Sequence, residues 1–153
     1  MAAQVTFYLL PEEGSPGGPS SAQLYACQLA SEYYRKRQSL FIYCAGQTQA
    51  EQIDELLWQF DPARFVPHQL QGEKSRKRPP VEVGYQASQQ GFHILINLTD
   101  EVPEFAGQFR QIFDFVPADN SGKEKARSRY KNYRAAGYEL TTQPAQFAPT
   151  ETE

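Results

Sequence analysis

Apolar positions along the chain fall into two rhythms, short continuous runs and runs recurring every three or four residues, and these rhythms predict alternating strands and helices. Residues 4–10 (Gln-Val-Thr-Phe-Tyr-Leu-Leu) are β-branched, aromatic and nearly unbroken in apolarity at their end, as in a central strand covered on both faces. Residues 39–45, 92–98 and 111–116 repeat that pattern, while 81–85 alternates. Helical spacing runs through 21–36, with Leu24, Cys27 and Ala30 on one side, and through 47–60, with Ile53, Leu56, Leu57 and Phe60 inward. Phe105 and Phe109, four apart, suggest a short helix or turn at 103–109. A last helix is predicted after residue 118, with Asp119, Asn120 and Ser121 as candidate caps and Gly137 as its stop.

Punctuation completes the plan. Glycine and proline make 11–19 a loop, with Ser20 or Ser21 capping the helix that follows. Pro67 confines the short strand 64–68 to a sheet edge or strand end, and 69–80, which carries Lys74, Arg76, Lys77 and Arg78 without hydrophobic period, reads as a surface loop. Residues 138–141 add a terminal strand. Strands alternating with helices imply one α/β domain over 1–141, a mostly parallel sheet with helices on both faces in a Rossmann-like three-layer arrangement, and a disordered tail over 142–153.

Composition narrows the class. Apolar residues at 40% and charged residues at 22% describe a globular domain, and the apolar runs are too short to cross a bilayer. Residues 1–6 carry no basic export-type region, so a cytoplasmic, non-membrane protein is expected. Cys27 and Cys44 fit buried small hydrophobes in a reducing compartment. His68 and His93 stand apart from them, and no C-x-x-C or H-x-x-x-H spacing suggests zinc. The Gly14 to Gly18 loop has neither phosphate-binding glycine signature, so no cofactor is expected. Nor does the sequence display a nucleophile elbow or paired catalytic carboxylates.

Charge points elsewhere. The chain is −3 overall, yet residues 119–139 carry six basic and three acidic groups, leaving the remainder at −6. At 100° per residue, Lys123, Arg127, Tyr130 and Arg134 follow a 4, 3, 4 spacing on one stripe of the last helix, beside a stripe of Ala126, Tyr133 and Gly137 expected to be buried. Cations bordering an apolar line suit an acidic, partly hydrophobic guest; the same pattern also describes a solvated face with Tyr130 covering core. Trp58 is turned 100° from Leu57, off the buried line, and with Phe65, Val66 and Pro67 forms a candidate apolar patch at a sheet edge, the alternative being ordinary core.

Val5-Thr-Phe-Tyr-Leu-Leu10, Asp54-Glu-Leu-Leu-Trp58, Phe65-Val-Pro-His68, Asp114-Phe-Val-Pro117 and Arg127-x-Arg129-Tyr-Lys-x-Tyr133-Arg-x-x-Gly137, in order and in register, resemble the chi subunit family of bacterial DNA polymerase III holoenzyme. The resemblance spans about residues 4–141. It implies a non-catalytic bridge in the clamp-loader assembly with two contacts. One is to the psi subunit, through Trp58, Phe65, Val66 and Pro67. The other is to the acidic C-terminal tail of single-stranded-DNA-binding protein, through Val116, Lys123, Arg127, Tyr130 and Arg134, giving indirect association with single-stranded DNA. The competing expectations are direct nucleic-acid binding by the basic helix and the 74–78 loop, and a nucleotide-dependent enzyme using the glycine loop.

Overall fold

The computed structural model describes residues 3–12, 19–59, 66–73, 79–88 and 91–147. Among the described residues seven strands build one sheet: β1 (Gln4–Leu9), β2 (Leu40–Tyr43), β3 (His68–Leu70), β4 (Val81–Gly84), β5 (Ile94–Asn97), β6 (Gln111–Val116) and β7 (Glu139–Pro144). They lie in the order β3-β4-β2-β5-β6-β1-β7, and every neighbouring pair is parallel. Parallel neighbours need crossovers, and helices supply several of them. The helices α1 (Ser21–Arg35) and α2 (Gln47–Gln59) pack on one face, and α3 (Asn120–Ala135) with a short 3-10 turn (Glu104–Gln108) on the other, so the expected three-layer α/β fold is the one formed.

Strand alternation sorts the core into two layers. Tyr8, Ile42, Ile96 and Phe113 face α1 and α2, whereas Val5, Phe7, Leu95 and Ile112 face α3. Burying one such side chain contributes about 1.5 to 3 kcal/mol, and this double-sided burial is why the strands read as unbroken apolar runs. Even the alternating stretch at β4 is covered throughout: Glu82 is buried together with Val81 and Val83.

Several expectations shift in detail. β1 is interior, but one strand in from the edge, because β7 pairs with it along its whole length. Of the edge strand expected at 64–68, residues 64 and 65 lie outside the described residues; the described strand is His68–Leu70, beginning after Pro67, whose missing N–H cannot join a ladder, and the loop expected from 69 starts later. Residues 142–147 are not a loose tail. Thr142 to Pro144 complete β7, the Ala145 N–H donates to the Leu9 carbonyl at 2.9 Å, and Phe147 packs 5.1 Å from Tyr25 of α1. Residues 148–153, Phe60, the 74–78 basic run and most of the glycine loop (13–18) lie outside the described residues. Ser20 is the α1 cap, its Oγ accepting from Gln23 N at 3.1 Å while Gln23 Oε1 accepts from Ser20 N.

Candidate functional site

The basic helix is fixed at both ends by its own sequence. At its start the Asp119 carboxylate accepts from Gly122 N at 2.8 Å. Gly122 also has to be glycine for space, since a Cβ there would lie 2.6 Å from Pro117 Cβ. At its end Gly137 adopts φ +94, its N–H donating to the Arg134 carbonyl, and Tyr138 N donates to the Tyr133 carbonyl. That is the Schellman arrangement, sealed by the Tyr133 and Tyr138 rings 5.5 Å apart. Gly137 is thus an exposed cap rather than part of the buried stripe, because the chain leaves the helix there.

The rotation of α3 is set by a buried ion pair. Arg129 is buried, its Nε donating to the Asp114 carboxylate at 3.1 and 3.2 Å and its Nη2 to the Phe115 carbonyl at 2.9 Å. Asp114, on β6, also accepts from Tyr133 OH at 3.0 Å, Asn97 Nδ2 at 3.1 Å and Phe115 N at 2.7 Å. Burial pushes this carboxyl up, and the Arg129 guanidinium with the three other donors pulls it back. Every partner donates, so the ionised carboxylate is the form that fits. Burial and the Asp114 charge raise the Tyr133 phenol and keep it a proton donor.

With Ala126, Arg129 and Tyr133 turned inward, the remaining angles follow. Tyr130, Lys123, Arg134 and Arg127 lie about 40°, 60°, 80° and 100° round the helix from Ala126. The graded exposure matches: Tyr130 is half-buried, while Lys123, Arg134 and Arg127 are exposed. Tyr130 rests 5.5 Å from the Phe7 ring and lies under the Arg134 guanidinium at 5.8 Å. Val116, half-buried at the end of β6, packs on the same apolar layer. Lys123, Arg127, Tyr130 and Arg134 therefore share one edge of α3, and Val116 belongs to the apolar layer beneath it. Of the other cations on this helix, Lys125 pairs with Asp100 at 3.2 Å and Arg129 is directed inward.

One apolar member was missed. Leu9 is 45% exposed, sits in register between Val116 and Pro144, and by alternation shares the α3 side with Val5 and Phe7. The alternation in 4–10 was the signal that could have found it; its exposure needed the sheet order.

The second patch is only partly assembled. Trp58 is 57% exposed at the end of α2, its ring 5.3 Å from His68 at the start of edge strand β3, with Pro67 half-buried beside it in sequence. Val66 is a correction. It is 3% exposed and belongs to the core under α1 and α2, so it supports the patch from beneath and offers no surface. Phe65 lies outside the described residues. Cys27 and Cys44 are free and buried, with both thiols pushed up to about 12 by burial, which suits them to packing and not to nucleophilic work. Among the described residues no helix is long and apolar enough to cross a membrane.

The family model described as DNA polymerase III chi subunit, HolC, matches residues 2–141. The chain is 40% identical over 145 residues to DNA polymerase III subunit chi of Haemophilus influenzae, covering 94% of this chain and 98% of that one. It is 40% identical over 139 residues to the Escherichia coli subunit, with coverages of 90% and 95%, and 32% identical over 139 residues to that of Pseudomonas aeruginosa, with 90% and 93%. Among solved structures it resembles T4 UvsW with a TM-score of 0.66 at 11% identity, over 94% of this chain and 41% of that one, a likeness of fold alone. A chain matched from residue 2 to 141 by one family model, and over nine tenths of its length by three chi subunits, belongs to the DNA polymerase III chi subunit family.

Proposed function

We propose that this chain is a non-catalytic accessory subunit of the bacterial replicase, working in the cytoplasm as a bridge between the clamp loader and protein-coated single-stranded DNA. One contact captures the acidic C-terminal tail of single-stranded-DNA-binding protein along α3; the other holds the psi subunit at Trp58 and Pro67, with Val66 beneath and Phe65 next to Val66 in the chain. The observation that carries the first is the row of exposed cations, Lys123, Arg127 and Arg134, beside half-buried Tyr130 and Val116. A tail with aspartates, an apolar last side chain and a terminal carboxylate needs charge and an apolar wall together. Arg127 would grip the carboxylate in a fork, Tyr130, Val116 and Leu9 would wall the apolar end, and Lys123 and Arg134 would attract the aspartates.

Charge-assisted hydrogen bonds contribute about 1.5 to 3 kcal/mol each, and association consumes several kcal/mol, leaving a micromolar affinity, about −8 kcal/mol. Titration of an acidic, Phe-ended peptide is the test. Arg127→Ala should weaken binding about tenfold or more, and wild-type affinity should fall with salt. Equal affinity for wild type and Arg127→Ala at low salt would remove the role given to this residue. In the same preparation, Trp58→Ala should end co-purification with psi while the peptide still binds. Loss of both contacts together would signal misfolding and leave neither surface supported.

A further inference from the structure

Two concavities of about 440 and 930 Å³ meet at Gln38 and His93, forming one groove. It passes the amino ends of five neighbouring strands: Pro80 before β4, Ser39 before β2, His93 before β5, Gln111 in β6 and Gln4 in β1. Four strand spacings make it about 19 Å long. This is the end of the sheet opposite Leu9 and Val116.

The lining has a consistent chemistry. Among the described residues neither concavity includes an aspartate or glutamate, in a chain that carries 18 of them and is −3 overall. Arg37 and Arg110 are exposed at its two sides, and Arg35 adds a guanidinium bonded to the Ser31 carbonyl at 2.9 Å. The α1 and α3 carboxyl ends point here, each carrying about half a negative charge. Schellman-type bonds close carbonyls at both ends, which leaves fewer of them to face the groove.

Arg37 is the most telling member. It holds φ +64, the only positive value for a non-glycine among the described residues, where glycine would be cheaper. Its N–H donates to the Tyr34 carbonyl at 2.9 Å, and Gln38 N donates to the Tyr33 carbonyl at 3.0 Å, the pattern that Gly137 makes on α3. A cation thus occupies a position whose backbone alone would favour glycine, and it faces the groove. Amide side chains of Gln4, Gln38, Gln108 and Gln111 add donors and acceptors together. His93 Nδ1 accepts the Ser39 N–H at 3.0 Å, which leaves Nε2–H as a donor. Tyr34 supplies a half-buried ring at one end.

We propose that this groove binds single-stranded nucleic acid directly: Arg37 and Arg110 hold phosphates, the glutamines and His93 meet base edges, and Tyr34 stacks a base. Mixed amide donors and acceptors favour bases over an acidic peptide, whose carboxylates would meet acceptors as well as donors and whose apolar groups would find little wall. The groove is lined by residues other than those of the α3 stripe, whose Arg134 lies in the turn next to it, and it operates whether or not that stripe captures a protein tail.

The test is anisotropy of a labelled oligothymidine, about 16 nucleotides long to fill one single-strand site, titrated with the full chain at low salt. Saturable binding is expected, with log affinity falling against log salt. Arg37→Gln with Arg110→Gln should lower affinity at least tenfold and make that slope shallower by about 1.4, two contacts at about 0.7 each. The double variant should still bind the Phe-ended acidic peptide as wild type does, which shows it folded. Arg37→Gly should lose oligonucleotide affinity while melting no lower than wild type, an outcome that a purely structural arginine would not give. The proposal is overturned by absence of saturable binding at low salt or by an unchanged slope in the double variant. Loss of oligonucleotide binding in Arg127→Ala with none in the groove variants would move the site to α3. Displacement of the oligonucleotide by the acidic peptide from the groove would replace the occupant.

Discussion

Arg129 shows how one residue decides what its neighbours do. It lies 5% exposed against Asp114, and that pairing sets which stripe of α3 faces outward. A buried pair stabilises little relative to an apolar replacement of both groups, but breaking it leaves one charge stranded. Arg129→Met should therefore cost about 3 to 5 kcal/mol, read as a lower urea midpoint, and should weaken acidic-peptide binding because α3 loses its rotational lock. A loss below about 1 kcal/mol, the range of exposed pairs, would mean that Asp114 finds enough donors in Tyr133, Asn97 and Phe115 without it.

At the scale of elements, α3 is a self-contained instruction with one tight joint. Asp119 caps it, Gly137 and Tyr138 close it, and Gly122 lets the first turn settle on Pro117. Gly122→Ala sets two effects against each other. Alanine favours a helix by about 1 kcal/mol, but the new Cβ would meet a ring that cannot swing aside, and overpacking of that kind costs about 1 to 3 kcal/mol. Net destabilisation is expected in thermal melts, together with weaker peptide binding, since Lys123 follows directly. A higher melting temperature would show that the Pro117 joint yields. α2 presents the opposite case: its capping is less explicit, but Trp58 is exposed because Ile53 and Leu57 occupy the inward stripe.

For the whole molecule, interior thiols and phenols make stability depend on pH at the alkaline end. Burial pushes Cys27 and Cys44 up to about 12 and also raises Tyr8, Tyr25 and Tyr133. Groups that hold their protons more tightly when folded contribute stability that is complete below the unfolded pKa and is lost as pH rises towards the folded value. Between about pH 9 and about 12 the two thiols alone should remove at most about 2.7 kcal/mol per pH unit. The urea midpoint should fall across that range, and Cys27→Ala with Cys44→Ala should flatten the fall. A midpoint constant between about pH 8 and 11 would contradict the burial of both thiols.

Much of this protein was legible without coordinates. Unbroken apolar runs identified β1, β2, β5 and β6 as covered strands, helical spacing identified α1, α2 and α3, and capping residues marked where helices begin and end, because these signals act within a few residues of themselves. The 4, 3, 4 spacing likewise put Lys123, Arg127, Tyr130 and Arg134 on one stripe by helix geometry alone. What required the fold was everything set by partners distant in sequence. Val66 and Trp58 read alike as patch residues, yet one is core and the other surface; Arg129 turns inward because Asp114 waits on the sheet beneath α3; and 142–147 are held by β1 and α1. Neighbouring residues dictate backbone form, whereas burial, charge pairing and the grooves between strand ends depend on which segments the sheet brings together.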